Sequence, residues 1–156
     1  MKIILSIICL FLIVGSFSFS TSNTIKLELQ IGEYYNNHSK RIFRYSEKKW
    51  FLQNDKLMYN LTGKDYSDSL FLSKKQFEEI IQIIENKELK KNITITYKPP
   101  QKRKVTHTKV IKGKLDLHSE TYYYDIKENI YTISKLQEYK NIRVLENYLD
   151  SLIKKE

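Results

Sequence analysis

The sequence of 156 residues contains no alanine, one cysteine, two prolines and four glycines. With Cys9 alone, the chain cannot form an internal disulfide or a site of several thiolates. The four glycines are isolated, so no glycine-rich phosphate-binding loop is present. The motifs His-Glu-x-x-His and Gly-x-Ser-x-Gly are also absent. These absences favour a protein that is not an enzyme, and we expect no cofactor.

The N-terminus has the pattern of a secretory signal peptide. Lys2 precedes an apolar run, Ile3–Val14, and the small residues Ser18 and Ser20 fit the pattern before a signal peptidase site. We therefore expect residues 1–20 to be removed, with the protein secreted or periplasmic, in the cell envelope. The apolar run is shorter than the roughly 20 residues of a bilayer-spanning helix. We therefore expect no transmembrane span after cleavage; an uncleaved anchor is the alternative.

The remaining chain, residues 21–156, is expected to form a single domain. Cleavage would remove the only cysteine, so this domain must be held together by its hydrophobic core. A chain of this length can bury about two-thirds of its unfolded surface, which is enough for one core.

The formal net charge is +9, and it becomes +8 without Lys2. Only four of the 27 basic residues are arginine, whose planar fork many nucleic-acid-binding proteins use. Together with the signal peptide, this argues against an intracellular nucleic acid as the partner.

Alternating apolar residues predict a series of antiparallel strands in the first half. Residues 24–32 alternate and end at Gly32, and residues 41–45, 50–53 and 56–61 are predicted to be short strands joined by turns. The alternation leaves one face of each strand polar, as in a half-buried sheet.

Two helices are predicted, over residues 73–87 and about 134–154. Ser73 and Gln76 form a capping-box pattern at the start of the first, and apolar residues at helical spacing follow. Strands interrupted by two helices predict an α+β fold: a mainly antiparallel sheet of short strands with both helices packed on it.

The most basic segment covers residues 98–114, with seven basic residues and no acidic one. We interpret it as a hairpin whose tip follows Pro99 and Pro100, since proline cannot donate a ladder hydrogen bond. Lysines also protect sheet edges, so a solvated tip is one interpretation. The other is contact with an anionic polymer or lipid surface. The candidate binding residues are Lys98, Lys102, Arg103, Lys104 and Lys109.

A metal site is a further candidate. If Asp116, His118 and Glu120 lie on one strand, they project from the same face, and two carboxylates with one imidazole could hold a divalent metal. His107 on a neighbouring strand could add a second imidazole. The competing interpretation is that these residues form the solvated face opposite Leu115 and Leu117.

Tyrosines form the last candidate. An aromatic platform for a sugar or peptide could be formed by Tyr122, Tyr123 and Tyr124 with Tyr34, Tyr35 and Trp50. On a strand, Tyr122 and Tyr124 face one side and Tyr123 the other, and Tyr122 and Tyr124 are the candidate binding residues. Tyrosine is also a favoured strand residue, so the alternative is a place in the core.

The leading hypothesis is a small exported binding protein that is not an enzyme. It would bind a protein or an envelope component through a sheet edge, a sheet face or the basic hairpin. The alternatives are a polyanion-binding protein that uses residues 98–114 and a metal-dependent hydrolase that uses Asp116, His118 and Glu120.

Overall fold

The computed structural model describes residues 24–61, 66–97 and 105–154. They form an α+β fold with a seven-stranded sheet. The strands are β1 (Ile25–Asn37), β2 (Ile42–Gln53), β3 (Lys56–Leu61), β4 (Tyr66–Phe71), β5 (Ile93–Thr96), β6 (Val105–Leu117) and β7 (Glu120–Asn129). The helices are α1 (Lys74–Asn86), α2 (Ile130–Ile133) and α3 (Gln137–Ile153).

The sheet has the strand order β4-β3-β2-β1-β6-β7-β5. All neighbours are antiparallel except β5, which runs parallel to β7. The predicted fold class is therefore confirmed. The signal-peptide prediction falls on residues outside the described part of the chain. No helix within the described residues is long and apolar enough to cross a membrane.

The core lies between one face of the sheet and the helices α1 and α3. Alternate residues of β1, from Ile25 to Ile31, are buried in the same apolar cluster as Ile80 and Ile84 of α1 and Leu145 of α3. Because strand residues alternate between faces, the other set of side chains points away from both helices. We call that second side of the sheet the open face.

Helix α1 begins where the sequence predicts it to begin. The Ser73 hydroxyl accepts a hydrogen bond from the Gln76 amide nitrogen at 3.3 Å, and the Gln76 side chain accepts one from the Ser73 amide nitrogen at 2.7 Å. This reciprocal pair is the capping box. The second predicted helix is also present, but it begins at Gln137, because the residues before it form the short helix α2 and a turn.

Three strand predictions were wrong in detail. β1 continues through Gly32 to Asn37, and β2 is one strand where two were predicted around a turn. The strands on either side of the basic segment do not form the predicted hairpin, because β5 pairs with β7 while β6 pairs with β1 and β7. The predicted tip, residues 98–104, lies outside the described residues. Backbone pairing over long distances in the sequence decided these points, and local patterns do not report it.

Charged side chains fasten α3 to the sheet. Glu146 is only 2 % exposed and pairs with Arg143 at 2.6 Å and with Lys48 of β2 at 3.8 Å. Lys48 also contacts Asp150 at 2.6 Å. Helix α3 therefore packs over β2 at Lys48. Arg44 and Ser46, which lie on the same face nearer the start of β2, are exposed.

Candidate functional site

The open face is concave at its centre. A depression of about 930 Å³ lies there, from Ser69 of β4 across β3, β2, β1 and β6 to β7. We call it the central trough. The open-face side chains that define it are Phe51, Met58, Tyr123, Gln30, Lys112 and Lys114.

The register of the sheet places the apolar side chains on the two sides of the trough. Met58 pairs with Phe51, Phe51 with Glu28, Glu28 with Lys114, and Lys114 with Tyr123. The row therefore has Met58 and Phe51 at one end and Tyr123 at the other. Three strand spacings separate Phe51 from Tyr123, which is roughly 14 Å. The trough thus has two aromatic walls and a polar floor.

The apolar walls of the trough, formed by Tyr123 on one side and by Phe51 and Met58 on the other, are accessible to solvent. Tyr123 is 56 % exposed and Met58 is 37 % exposed. Phe51 is half-buried, and the Lys26 ammonium lies 5.4 Å from the centre of its ring. Exposed apolar side chains that gather around one concavity indicate a binding surface, whereas scattered ones do not.

The floor of the trough is held in place by ion pairs within each strand. Lys26 contacts Glu28 at 3.1 Å, and Lys114 contacts Asp116 at 3.0 Å. The hydrogen bond to Asp116 holds the pKa of Lys114 above its ordinary value. Lys114 is therefore a charged group on the floor of the trough at neutral pH.

A second polar cluster borders the trough near Gly32. Glu47 is buried and accepts hydrogen bonds from Gln30 and Tyr45, and from Lys49 at 2.9 Å. Burial opposes ionisation of Glu47, but these three donors outweigh it and lower the pKa of the carboxyl. Burial and the bond to Glu47 raise the pKa of Tyr45. Glu47 is thus a fixed negative charge that orders this side of the face.

The predicted tyrosine platform is divided between the two faces. Tyr124 is 2 % exposed in the core, and its hydroxyl donates to the Leu89 carbonyl at 2.5 Å. Tyr122 packs at the margin of the core and bonds to Glu120. The exposed tyrosine at the trough is Tyr123, a member of the predicted platform that was not chosen as a candidate binding residue with Tyr122 and Tyr124. Alternation showed that Tyr123 faces away from its neighbours but not which face is open.

The other members of that platform are also separated. Trp50 lies in the core. Tyr34 packs against Tyr45 on the open face, with ring centres 4.6 Å apart. Tyr35 lies on the opposite face, edge-on to His107. No single aromatic platform therefore includes all the predicted rings.

The predicted metal ligands do not share one strand face. Asp116 lies on β6, whereas His118 lies in the turn with a φ of 50° and Glu120 begins β7. Glu120 pairs with Leu117, so it is on the helix side of the sheet, and Asp116 is on the open side. Within residues 24–61, 66–97 and 105–154, no group of three His, Cys, Asp or Glu side chains is placed to hold a metal ion.

Asp116 has a different role in the structure. It accepts hydrogen bonds from the Thr121 hydroxyl at 2.7 Å and from Lys114 at 3.0 Å. These bonds hold the pKa of Asp116 below its ordinary value. Asp116 therefore links β6 to β7 beside the turn.

The predicted basic surface lies mostly outside the described residues. Lys98, Lys102, Arg103 and Lys104 belong to that undescribed segment. Lys109 is described, and it is buried against Glu33, to which its ammonium donates a hydrogen bond at 2.9 Å. Its charge is used inside the protein and is not displayed to a polyanion.

Comparison with known proteins gives no family. No protein-family model matches the chain, and no curated protein is detectably similar in sequence.

Proposed function

We propose that this protein is a small exported binding protein, not an enzyme, whose ligand is a segment of neutral polysaccharide held in the central trough. The observation that carries the proposal is the uncovered concave face, about 930 Å³ in volume, with Phe51, Met58 and Tyr123 around it. A concave surface with apolar walls and a few directed polar groups is the usual form of a binding site for a small ligand or a polymer segment.

The chemistry of the walls and floor suits a sugar chain. The C–H faces of pyranose rings pack on aromatic rings such as Phe51 and Tyr123, and tyrosine provides a large contact at low entropy cost. Gln30 and Asn60 offer amide donors and acceptors to the sugar hydroxyls. An extended peptide, by contrast, is usually held by main-chain bonds at a sheet edge, which a trough in the middle of a sheet does not offer.

The balance of charge around the trough favours a neutral ligand. The charged side chains that line it on the open face are Glu28, Asp125, Lys49, Lys112 and Lys114. Because Lys49 pairs with Glu47 and Lys114 pairs with Asp116, most of this charge is compensated, and the trough has little net attraction for a polyanion.

A binding titration with variants tests this proposal. Tyr123→Ser and Phe51→Ser should each weaken binding of neutral oligosaccharides, namely β-1,4-linked glucose and N-acetylglucosamine hexamers, by about tenfold or more, as removing a stacking partner costs about 1–3 kcal/mol. Calorimetry and amide chemical shifts would measure it. Phe71→Ser is the matched control, because Phe71 is 73 % exposed and does not line the trough.

The proposal fails if neither hexamer shifts the amides of the trough, or if Phe71→Ser weakens binding as much as Tyr123→Ser. Thermal melting of each variant separates loss of binding from loss of folding. Since Tyr123 lies mainly in solvent, its variant should melt close to the parent protein.

Export is the second part of the proposal, and its support is the N-terminal sequence. A positive residue, a short apolar run and small residues at Ser18 and Ser20 are typical of a signal peptide. We predict that protein recovered from outside the cytoplasm begins at Thr21. N-terminal sequencing checks this, and a recovered chain that begins at Met1 would contradict cleavage.

Polyanion binding is a second candidate function, favoured by where the basic segment is attached. Its flanking residues, Tyr97 and Val105, lie at the end of the sheet that also bears Arg44 and His107. Dextran sulfate in the same titration tests this candidate. Affinity that falls steeply between about 50 and 200 mM salt would favour it over the trough.

A further inference from the structure

A second concavity lies on the other face, where β1, β2 and β6 extend beyond α3. Its volume is about 730 Å³. Five lining side chains point to the side of the sheet that elsewhere packs on the helices: Glu33, Tyr35, Arg44, Ser46 and His107. Phe43 and Tyr45 of β2 also border the cavity, but their side chains point to the open face. This cavity is separate from the central trough.

The strand register aligns the polar side chains in two adjacent rows. In the first row, Tyr35 of β1 lies between Arg44 of β2 and His107 of β6. In the second row, Glu33 lies between Ser46 and Lys109. Two strand spacings, roughly 10 Å, separate the Arg44 and His107 backbones. Both side chains are long enough to approach one group placed over the Tyr35 ring.

The charges in the second row are already paired. Glu33 accepts a hydrogen bond from Lys109 at 2.9 Å, and His107 lies 3.9 Å from its other oxygen. Partial burial opposes ionisation of Glu33, but the bond from Lys109 and the nearby positive charges lower its pKa. The Glu33 carboxylate is therefore already paired within the protein, with Lys109 and His107 as its partners.

The guanidinium of Arg44 is in a different position. Within residues 24–61, 66–97 and 105–154, Arg44 has no carboxylate partner. The uncompensated charge at this cavity is thus positive, and it is a planar fork that fits two oxygens of one anion. Tyr35, directly opposite Arg44 on the neighbouring strand, provides an aromatic ring at the same cavity.

We propose that this cavity binds a small organic acid, with a carboxylate or phosphate monoester held by Arg44 and an imidazole N–H of His107. The rest of the ligand, preferably a flat ring, lies against Tyr35. Glu33 and Lys109 position His107 from below, through the 3.9 Å contact between Glu33 and the imidazole. This site is independent of the sugar-binding proposal, because it lies on the opposite face and shares no residue with the trough.

Titration of the full chain with phenyl phosphate, benzoate and inorganic phosphate tests the proposal by amide and histidine NMR. We expect phenyl phosphate or benzoate to shift Tyr35, Arg44 and His107 selectively. Arg44→Gln should weaken that binding at least tenfold and Arg44→Lys by a smaller factor, because lysine keeps the charge but loses the fork. His107→Gln should weaken it severalfold. Lys75→Gln, on the exposed side of α1, is the control and should have no effect.

The two ring-bearing probes distinguish the sources of the anion, since the tighter one identifies a phosphate or a carboxylate ligand. Inorganic phosphate should bind more weakly than phenyl phosphate, because it has no ring to pack on Tyr35. The proposal is overturned if Arg44→Gln binds the probes as well as the parent protein does, or if the shifts map to surface lysines instead. Arg44 is exposed, so its variants should remain folded, and melting curves would verify this.

Discussion

Gly113→Ala should lower the free energy of unfolding by about 1–3 kcal/mol, the usual cost of overpacking a core. A Cβ atom at position 113 would lie 2.7 Å from Cδ2 of Tyr124 and 3.1 Å from the Glu28 carbonyl oxygen. The Tyr124 ring cannot easily move away, because it is buried and its hydroxyl is bonded to the Leu89 carbonyl. Urea unfolding followed by fluorescence of the single tryptophan, Trp50, would measure the loss.

Gly32→Ala is the matched control, since it is also a glycine within a long strand. A Cβ there would meet the rings of Tyr34 and Tyr45 at 3.4 Å, which is ordinary contact. Alanine restricts the unfolded chain more than glycine, so this variant should be neutral or up to about 1 kcal/mol more stable. If the two substitutions change the free energy of unfolding equally, the expected clash between a Cβ at position 113 and the Tyr124 ring is not the cause of the destabilisation.

Local patterns in the sequence predicted the elements that depend on neighbours in the chain. The capping box of Ser73 and Gln76 marked the start of α1, and strict alternation marked β1 from Ile25 to Ile31. Together they were sufficient for the α+β class. These signals act over a few residues, which is why they can be read without a structure.

Pairing between distant strands could not be predicted in the same way. β5 has only four residues. The next strand in the chain is β6, but β5 pairs with the strand after it, β7, and runs parallel to it. β2 continues through residues 46–49 because β1 pairs with it along its whole length, despite a polar sequence that resembles a turn. In both cases contacts with another strand overrode the local preference.

The site was harder to predict because it depends on which face the helices cover. Alternation placed Tyr123 opposite Tyr122 and Tyr124, but both assignments of inside and outside were consistent with the sequence. Lys109 was predicted to be part of an exposed basic surface, yet its partner Glu33 lies 76 residues earlier in the chain. The sequence shows which chemical groups a side chain carries, whereas the residue it contacts can be identified only from the fold.

The ion pair between Lys109 and Glu33 gives the second prediction of a large change in the free energy of unfolding. Glu33→Gln should lower the free energy of unfolding by about 2–3 kcal/mol at neutral pH, because it leaves the buried Lys109 ammonium without its hydrogen-bonded countercharge. The Lys109 side chain is 7 % exposed, whereas that of Glu33 is 39 % exposed, so the deficit falls below that of a fully buried pair. Urea unfolding at pH 7 would measure it, with Glu78→Gln as the control, since the Lys74–Glu78 pair is fully at the surface.

The dependence on pH follows from the direction of the two pKa shifts. Burial opposes the charge on Lys109, but the bond to Glu33 holds its pKa above the ordinary 10.5, so its contribution is present below that pH and is lost as the pH rises further. The pKa of Glu33 is lowered from 4.5, so its contribution is present above that pH and is lost as the pH falls through the folded value. The deficit of Glu33→Gln should therefore be largest between these limits.

The double variant Glu33→Gln with Lys109→Met separates loss of the pair from a change in packing. Methionine retains most of the apolar stem beside Tyr139 and removes the charge, so stability should recover to within about 1 kcal/mol of the parent protein. If the double variant is as unstable as Glu33→Gln alone, the cost does not come from an unpaired ammonium. Glu33 would then act through its contact with His107, and the same substitution should weaken binding of phenyl phosphate or benzoate at the cavity beside Arg44.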